Sequence, residues 1–279
     1  MQEKLANLAL FPDYLDCELT NHCNLTCTVC PTGMNISSRP KGFISSELMR
    51  RIIQECAAEG CKGIRFVRWG EPLLHPHCVE YIKAVKSAGL LCHINTNGSL
   101  LDDGFISDIL KYGLDSIKFS FQGLDEYDYN SIRKGGDYKK LVERITNLYS
   151  KRNQRQHPYI QIGTTIASAT KSNVNDIKYF NQTMLQICDR PDVGITRNLL
   201  NNEITTNYPE CPEMFNKLSI NWNGDITMCC SDWDGLLIVG NCNKQSLKEI
   251  WTCDAANKMR QMLVNHQHNL LPVCRSCIL

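Results

Sequence analysis

The chain has 279 residues, of which 43 % are hydrophobic and 21 % charged, and a formal net charge of +1. That is enough apolar material for the core of one or two domains. The near balance of charge excludes the electrostatic footprint of a nucleic-acid or anionic-membrane binder, and no apolar run approaches the ~20 residues of a membrane span. The basic run Lys151, Arg152 and Arg155 reads as a solvated helix end. The N-terminus, Met1 to Ala6, lacks the apolar stretch and cleavage site of a signal peptide. A cytoplasmic protein is expected, and sixteen cysteines in a reducing compartment point to metal ligation rather than disulfides.

In chain order, short apolar runs alternate with amphipathic stretches. A strand is expected over 14–19. A helix follows over 46–58, with Leu48, Ile52, Ile53 and Cys56 at helical spacing and Ser45 or Ser46 as N-cap. Strands at 63–67, 90–95, 116–121, 160–166 and 194–199 are interleaved with helices at 79–88, 105–112, 138–149 and 174–187. Gly89 and Gly113 sit just past helix ends, where a left-handed residue is needed. This alternation predicts an α/β fold with a parallel sheet and right-handed crossovers. Six units are too few for an eight-fold barrel, so an open, partial barrel over 1–207 is expected. After Tyr208 the pattern changes to a smaller cysteine-rich domain over 208–279. It begins with a hairpin, 218–222 and 226–228, turning at Asn223-Gly224. Helices at 246–251 and 254–264 follow.

Cys23, Cys27 and Cys30 form a C-x3-C-x2-C cluster with no fourth cysteine nearby. Structural zinc is normally closed by four protein ligands, and a [4Fe–4S] cluster also takes four. Three thiolates on such a cluster would leave one iron open to a small molecule. A zinc knuckle with a distant fourth ligand is the competing reading. The spacing, placed directly after the first strand, resembles the signature of the radical S-adenosylmethionine (SAM) enzymes. That resemblance implies a partial (β/α)6 barrel. It also implies SAM bound through its amino and carboxylate groups and cleaved reductively to a 5′-deoxyadenosyl radical. Val29 stands where the family usually has an aromatic residue.

Further motifs fall at strand ends, where barrel active sites lie. Arg68-Trp69-Gly70-Glu71-Pro72 resembles the family's Gly-Gly-Glu-Pro motif for the SAM amino group, with Trp69 replacing the first glycine. Gly70 would allow close backbone approach, and Glu71 would offer a carboxylate. Asn95 and Asn97 close the third strand, with turn formation as their other role. Ser120 and Gln122 resemble the family's ribose- and carboxylate-contacting strand. Arg133 matches a position that either pairs with the SAM carboxylate or anchors its loop. Thr164 and Ile166 are assigned to the adenosine side.

Cys211, Cys229, Cys274 and Cys277 make a second set. Cys211, followed by Gly224 and Cys229, resembles the opening of a SPASM motif without its dense middle run. Such a shortened, twitch-type domain would hold one auxiliary cluster, giving two [4Fe–4S] clusters in all. Structural zinc is the alternative. Within the family the chain looks most like the aminocyclitol dehydrogenase of butirosin biosynthesis and related dehydrogenases and epimerases. The expected reaction is oxidation of an alcohol on a sugar, aminocyclitol or aminoglycoside. A flavodoxin- or ferredoxin-type donor would supply electrons, and no nucleic acid or membrane partner is expected. Arg197 would contact the substrate hydroxyl or sit in a salt bridge. Cys230 reads as a ligand, a structural cysteine or a thiol hydrogen-atom donor for an epimerase, with Cys17, Cys92 and Cys188 as rival donors. Peptide modification is a further alternative. The first expected strand starts at Tyr14, so no fused leader-peptide domain is expected. A zinc-binding interaction module is the reading from another class.

Overall fold

The computed structural model describes residues 2–153, 155–166, 174–195, 211–275 and 277. A short helix, α1 (Gln2–Ala6), leads into β1 (Tyr14–Cys17). The alternation then runs through α2 (Ser46–Ala58), β2 (Gly63–Phe66), α3 (Cys78–Ser87), β3 (Leu91–Thr96), α4 (Asp103–Tyr112) and β4 (Ser116–Ser120). Next come α5 (Glu126–Ile132), α6 (Tyr138–Arg152), β5 (Tyr159–Ile166), α7 (Val174–Met184) and β6 (Arg190–Ile195). β1 to β6 pair in parallel and in chain order, as an open parallel barrel requires.

The helices form where local chemistry favours them. The Ser45 side chain accepts from the Leu48 amide at the start of α2, and Asp102 does the same for Phe105 at α4. Gly113 ends α4 in the left-handed conformation, at φ 73°, which costs glycine no steric penalty. α5 has no strong apolar periodicity. It forms because Asp125 caps it and Tyr129 buries its ring near Phe121 and Tyr138. β6 starts earlier than the expected 194–199, at Arg190, and residues 196–199 lie outside the described residues. Pro191 argues against a strand by composition, but an edge position spares its missing donor. The Asp189 carboxylate then accepts the Ile160 amide at 2.6 Å, fixing the β5–β6 register.

The C-terminal part continues the same sheet. After α8 (Glu213–Asn216), β7 (Lys217–Ile220) pairs in parallel with β1, on the side away from β2. β8 (Asp225–Thr227) and β9 (Ile238–Asn241) extend it antiparallel, making a nine-stranded mixed sheet among the described residues. Gly224 makes the hairpin turn at φ 89°. α9 (Leu247–Thr252) and α10 (Asp254–Val264) close the structure. The Trp251 indole donates to the Ala9 carbonyl at 2.7 Å, and the buried Arg260 guanidinium stacks over Trp251. The small C-terminal unit is thereby fastened to the N-terminal turn.

The two faces of the sheet differ. Leu15, Ile64, Phe66, Ile94, Ile117, Phe119 and Ile162 are fully buried in the core that packs with the helices. Each such side chain is worth about 1.5–3 kcal/mol relative to exposure. The intervening residues of the same strands, Asp16, Arg65, His93, Lys118 and Gln161, line a cavity of 660 Å³. Strand period two thus gives an apolar outside and a polar lumen.

Candidate active site

The first cysteine loop follows β1 without regular structure and is held from two sides. The Thr26 amide donates to the Lys134 carbonyl at 2.9 Å, and the Thr28 amide to the Ile132 carbonyl at 3.0 Å. The Asn24 amide group donates to the Ser99 hydroxyl at 2.7 Å. Cys23, Cys27 and Cys30 lie near enough for Cys30 to act on Cys23, and for both to act on Cys27. Burial, and then the neighbouring thiols, push the Cys27 thiol up to about 11, opposed by Arg133. Burial raises Cys23 too, with Glu71 and Cys30 adding to it. Gly33 permits this tight loop, since a Cβ there would lie 2.5 Å from the Cys27 amide nitrogen and carbonyl oxygen.

The loop after β2 is bound to the same element. The Glu71 amide donates to the His22 carbonyl at 2.8 Å, and the Thr32 hydroxyl donates to the Trp69 carbonyl. A Cβ on Gly70 would lie 1.9 Å from the Thr20 carbonyl oxygen, so only glycine fits. Glu71 is buried and accepts from the Leu73 amide, the Thr96 hydroxyl and the Asn97 amide. Three of about four acceptor positions on this carboxylate are therefore used within the protein. Its first task is to tie the ends of β2 and β3 together. Burial raises its pKa, against those hydrogen bonds and Arg133.

Asn97 turns its side-chain amide to Asn24 at 3.0 Å and toward the Cys23 sulfur at 3.8 Å. Asn95 lines the lumen, and its Oδ1 accepts from the His93 Nε2 at 2.7 Å. Ser120 lies on the same strand phase as Ser116 and Lys118, both of which line the lumen. Gln122 accepts from Thr165 at 2.7 Å. Arg133, at the end of α5, is buried beside Tyr129, and its charge lowers the pKa of both Cys27 and Glu71. Trp69 lines the lumen at its junction with this loop. Thr164 and Ile166 are a correction. They alternate with Gln161 and so face the helix side, where both are buried and Thr164 donates to the Gly123 carbonyl. Arg197 lies outside the described residues.

Cys230 lines the lumen and also the space bounded by the second cysteine set. Ligand atoms of Asp16, Glu213 and Cys230 lie within 4.8 Å of one another. This is not an open cation site, because the Lys217 ammonium sits 3.1 Å from Asp16 and 2.7 Å from Glu213. Burial works against the charge on Lys217, but Asp16, Cys230 and Glu213 outweigh it and raise its pKa. Asp16 also pairs with Arg65 at 2.5 Å. The rival thiols Cys17 and Cys92 are fully buried on the helix side of the sheet, and Cys188 is buried in the apolar core.

Cys211, Cys229, Cys274 and Cys277 line a separate space of 120 Å³ with Met214, Val273 and His268, and Cys230 and Glu213 border it as well. Burial is the main cause that raises Cys211, and it pushes Cys274 up to about 12, with neighbouring thiols adding in both cases. Four sulfurs around one small apolar chamber suit a fully ligated metal centre; three on an open loop suit a centre with a free position.

Residues 17–160 match the Radical SAM superfamily. The chain belongs to the radical SAM superfamily. Residues 211–278 match SPASM, an iron-sulfur cluster-binding domain, so this radical SAM protein carries a C-terminal auxiliary iron–sulfur domain. It is 24 % identical over 320 residues to the tungsten-containing aldehyde ferredoxin oxidoreductase cofactor-modifying protein of Pyrococcus furiosus. That match covers 95 % of this chain and 87 % of the relative. The chain spans less than half the length of the curated relatives that follow. Its fold is similar to BtrN in complex with AdoMet and 2-DOIA (TM-score 0.66, 18 % identity, 96 % of this chain and 93 % of that one). It is likewise similar to Streptococcus suis SuiB bound to precursor peptide SuiA (TM-score 0.68, 16 % identity, 99 % and 73 %). Radical SAM chemistry is therefore the activity this family membership supports, and the Cys23, Cys27 and Cys30 loop offers three thiols of the kind an iron–sulfur cluster takes.

Asp16, Arg65, Arg68, Lys118, Glu213 and Lys217 escaped the motif reading. A signal for three of them was present: one charged residue per apolar strand, at Asp16, Arg65 and Lys118, all on the same phase. Lys217 and Glu213 carried none, since only the β1–β7 pairing brings them to Asp16.

Proposed function

We propose that this radical SAM enzyme is a redox-neutral epimerase, with Cys230 as the hydrogen-atom donor. Its substrate is a polar small molecule, with an aminocyclitol or aminoglycoside ring as the first choice. The observation that carries this is the position of Cys230 on the wall of the lumen; Cys17 does not line it, and Cys92, which borders it, is fully buried on the strand phase opposite His93 and Asn95. A cavity of 660 Å³ lies within the usual range for small-molecule sites. Its lining of Asp16, Arg65, His93, Asn95, Lys118 and Gln161 offers many hydrogen-bonding groups, interleaved with apolar wall from Tyr14, Ile64, Val67 and Trp69.

Cys23, Cys27 and Cys30 are the residues to hold the catalytic cluster, and Cys211, Cys229, Cys274 and Cys277 the auxiliary one. When bound, the first cluster and SAM supply a 5′-deoxyadenosyl radical that takes a hydrogen atom from a substrate carbon. Gly70 opens space for SAM at the cysteine loop, and Arg133 offers its carboxylate a buried positive partner. Asn95 and Trp69 line the lumen, and Ser120 and Gln122, at and just past the end of β4, would contact SAM from the neighbouring strand. In the lumen, Asp16, Lys217 and Arg65 orient the substrate's polar groups. The Cys230 S–H bond then breaks, and its hydrogen atom forms the new C–H bond from the opposite face. One electron and one proton from outside return the sulfur to a thiol, so each turnover consumes one SAM and one further reducing equivalent. The likeness to SuiB favours a second substrate class, in which a peptide residue enters the same lumen.

The deciding experiment is an anaerobic reaction in deuterated water with reconstituted enzyme, SAM and reductant. Aminocyclitols, aminoglycosides and short peptides are offered in parallel. One carbon-bound deuterium in a product of otherwise unchanged composition is the expected result. A product that has lost two hydrogens and carries no deuterium at carbon would replace the epimerase by a dehydrogenase or a peptide cross-linking enzyme.

A further inference from the structure

Arg68 sits at the end of β2, immediately before Trp69, Gly70 and Glu71, yet its side chain leaves that loop. Its Nη1 donates to the Cys229 carbonyl at 3.0 Å. Its Nη2 donates to the Asn221 side-chain carbonyl at 2.8 Å and to the Asp232 carbonyl at 3.0 Å. The backbone bends to allow this. Arg68 has φ 147°, a conformation that side chains other than glycine rarely adopt. Residues held in such regions persist when their surroundings over-determine them, and three hydrogen bonds from one guanidinium do so here.

The turn that Arg68 grips carries both sulfurs of interest. Cys229 faces the chamber of the second cysteine site, and Cys230 borders both that chamber and the lumen. The turn's far end is organised from within the C-terminal unit. The buried Asp232 carboxylate accepts from the Thr227 hydroxyl and from the Leu236 and Leu237 amides. The near end is held from the barrel by Arg68. The residue preceding the SAM-binding loop is thus bonded directly to a proposed auxiliary-cluster ligand.

We infer that Arg68 is a positioning residue that sets the Cys229–Asp232 turn against the SAM loop. It fixes the distance of the Cys230 thiol from the substrate carbon and places one positive charge beside the auxiliary site. Its part in aiming Cys230 rests on the epimerase reading; its part at the auxiliary site does not. A fixed cation near an iron–sulfur centre favours the reduced, more negative state, because cluster potentials follow local charge and hydrogen bonding. A lysine keeps the charge but lacks the planar fork that reaches three carbonyls at once.

The test uses the full-length chain as Arg68→Gln and Arg68→Lys, each reconstituted with iron and sulfide. In a background of Cys23→Ala, Cys27→Ala and Cys30→Ala, only the auxiliary cluster remains, and an EPR-monitored redox titration reads its potential and line shape. Arg68→Gln is expected to move the potential in the negative direction and alter the spectrum. Arg68→Lys is expected to recover most of the potential. With the three cysteines restored, both variants should form several-fold more 5′-deoxyadenosine per molecule of product, because the thiol is no longer aimed. Potential, spectrum and coupling ratio all matching the unsubstituted protein in Arg68→Gln would overturn the inference. Deuterium incorporation surviving in Cys230→Ala would instead assign the hydrogen-atom donor to another group and leave the potential shift as the test of Arg68.

Discussion

The two cysteine sites use one ligand type under opposite conditions. The first, Cys23, Cys27 and Cys30, lies on a loop held by the backbone of 132–134 and by side chains of 97–99, among Arg133, Asn97 and Glu71. The second, with four thiols, is walled by Met214 and Val273. In the proposed assignment, three thiolates on a cluster would leave a coordination position for an incoming molecule, with polar partners beside it. Four would close the second centre, whose neighbours Cys230 and Ser231 also line the lumen. Ligand number and neighbours, not the cysteines as such, separate a reacting centre from a supporting one.

The sharpest way to break this contrast is Cys23→Ala. 5′-Deoxyadenosine formation should fall on the order of 10⁴-fold or more, as when a unit of catalytic machinery loses an indispensable member. Iron bound at the second site should stay, as Mössbauer spectroscopy would show. Equal loss of iron at both sites would mean that they are one folding unit. Next comes Cys230→Ser, in which carbon-bound deuterium should drop to background while 5′-deoxyadenosine formation continues at a comparable rate. Retained deuterium would move the donor elsewhere.

Arg133→Gln tests the polar side of the first site. Loss of one charge-assisted hydrogen bond, about 1.5–3 kcal/mol, should weaken SAM binding roughly ten- to hundredfold, with the iron content unchanged. Calorimetric titration with SAM reads it directly, and an unaltered affinity would return Arg133 to a loop-anchoring role. Gly70→Ala forces a methyl onto the Thr20 carbonyl. It should destabilise the protein by about 1–3 kcal/mol and weaken SAM binding as well. Smallest is Asp102→Ala, which removes the cap on the Phe105 amide. It should cost about 1 kcal/mol in denaturant unfolding and leave the chemistry untouched.

Much of this was legible in the chain. The helix at 46–58 shows its cap and its apolar stripe in sequence, and its bounds in the structure are the same. Gly70 announces a close approach, and the structure supplies the Thr20 carbonyl that demands it. α5 was not legible, because its stability comes from Tyr129 against Phe121 and Tyr138 rather than from its own composition. The side assigned to Thr164 was mistaken for a related reason. In a two-residue period, a shift of one position reverses the face, and only pairing with neighbouring strands sets the phase.

The sequence by itself determined the βα alternation, the parallel sheet and the two cysteine sets. Each of these follows from local periodicity or spacing along one chain. The tertiary structure alone decided which strand faces meet in the lumen, that β7 zips onto β1, and that Lys217, Glu213 and Cys230 arrive beside Asp16. It alone carried Arg68 from the SAM loop to the Cys229 turn. These contacts join residues far apart in sequence. Their free energy comes from strand pairing and from the apolar burial around it, with the paired charges offsetting their own desolvation cost, and the pairing partners leave no periodic trace in the order of residues.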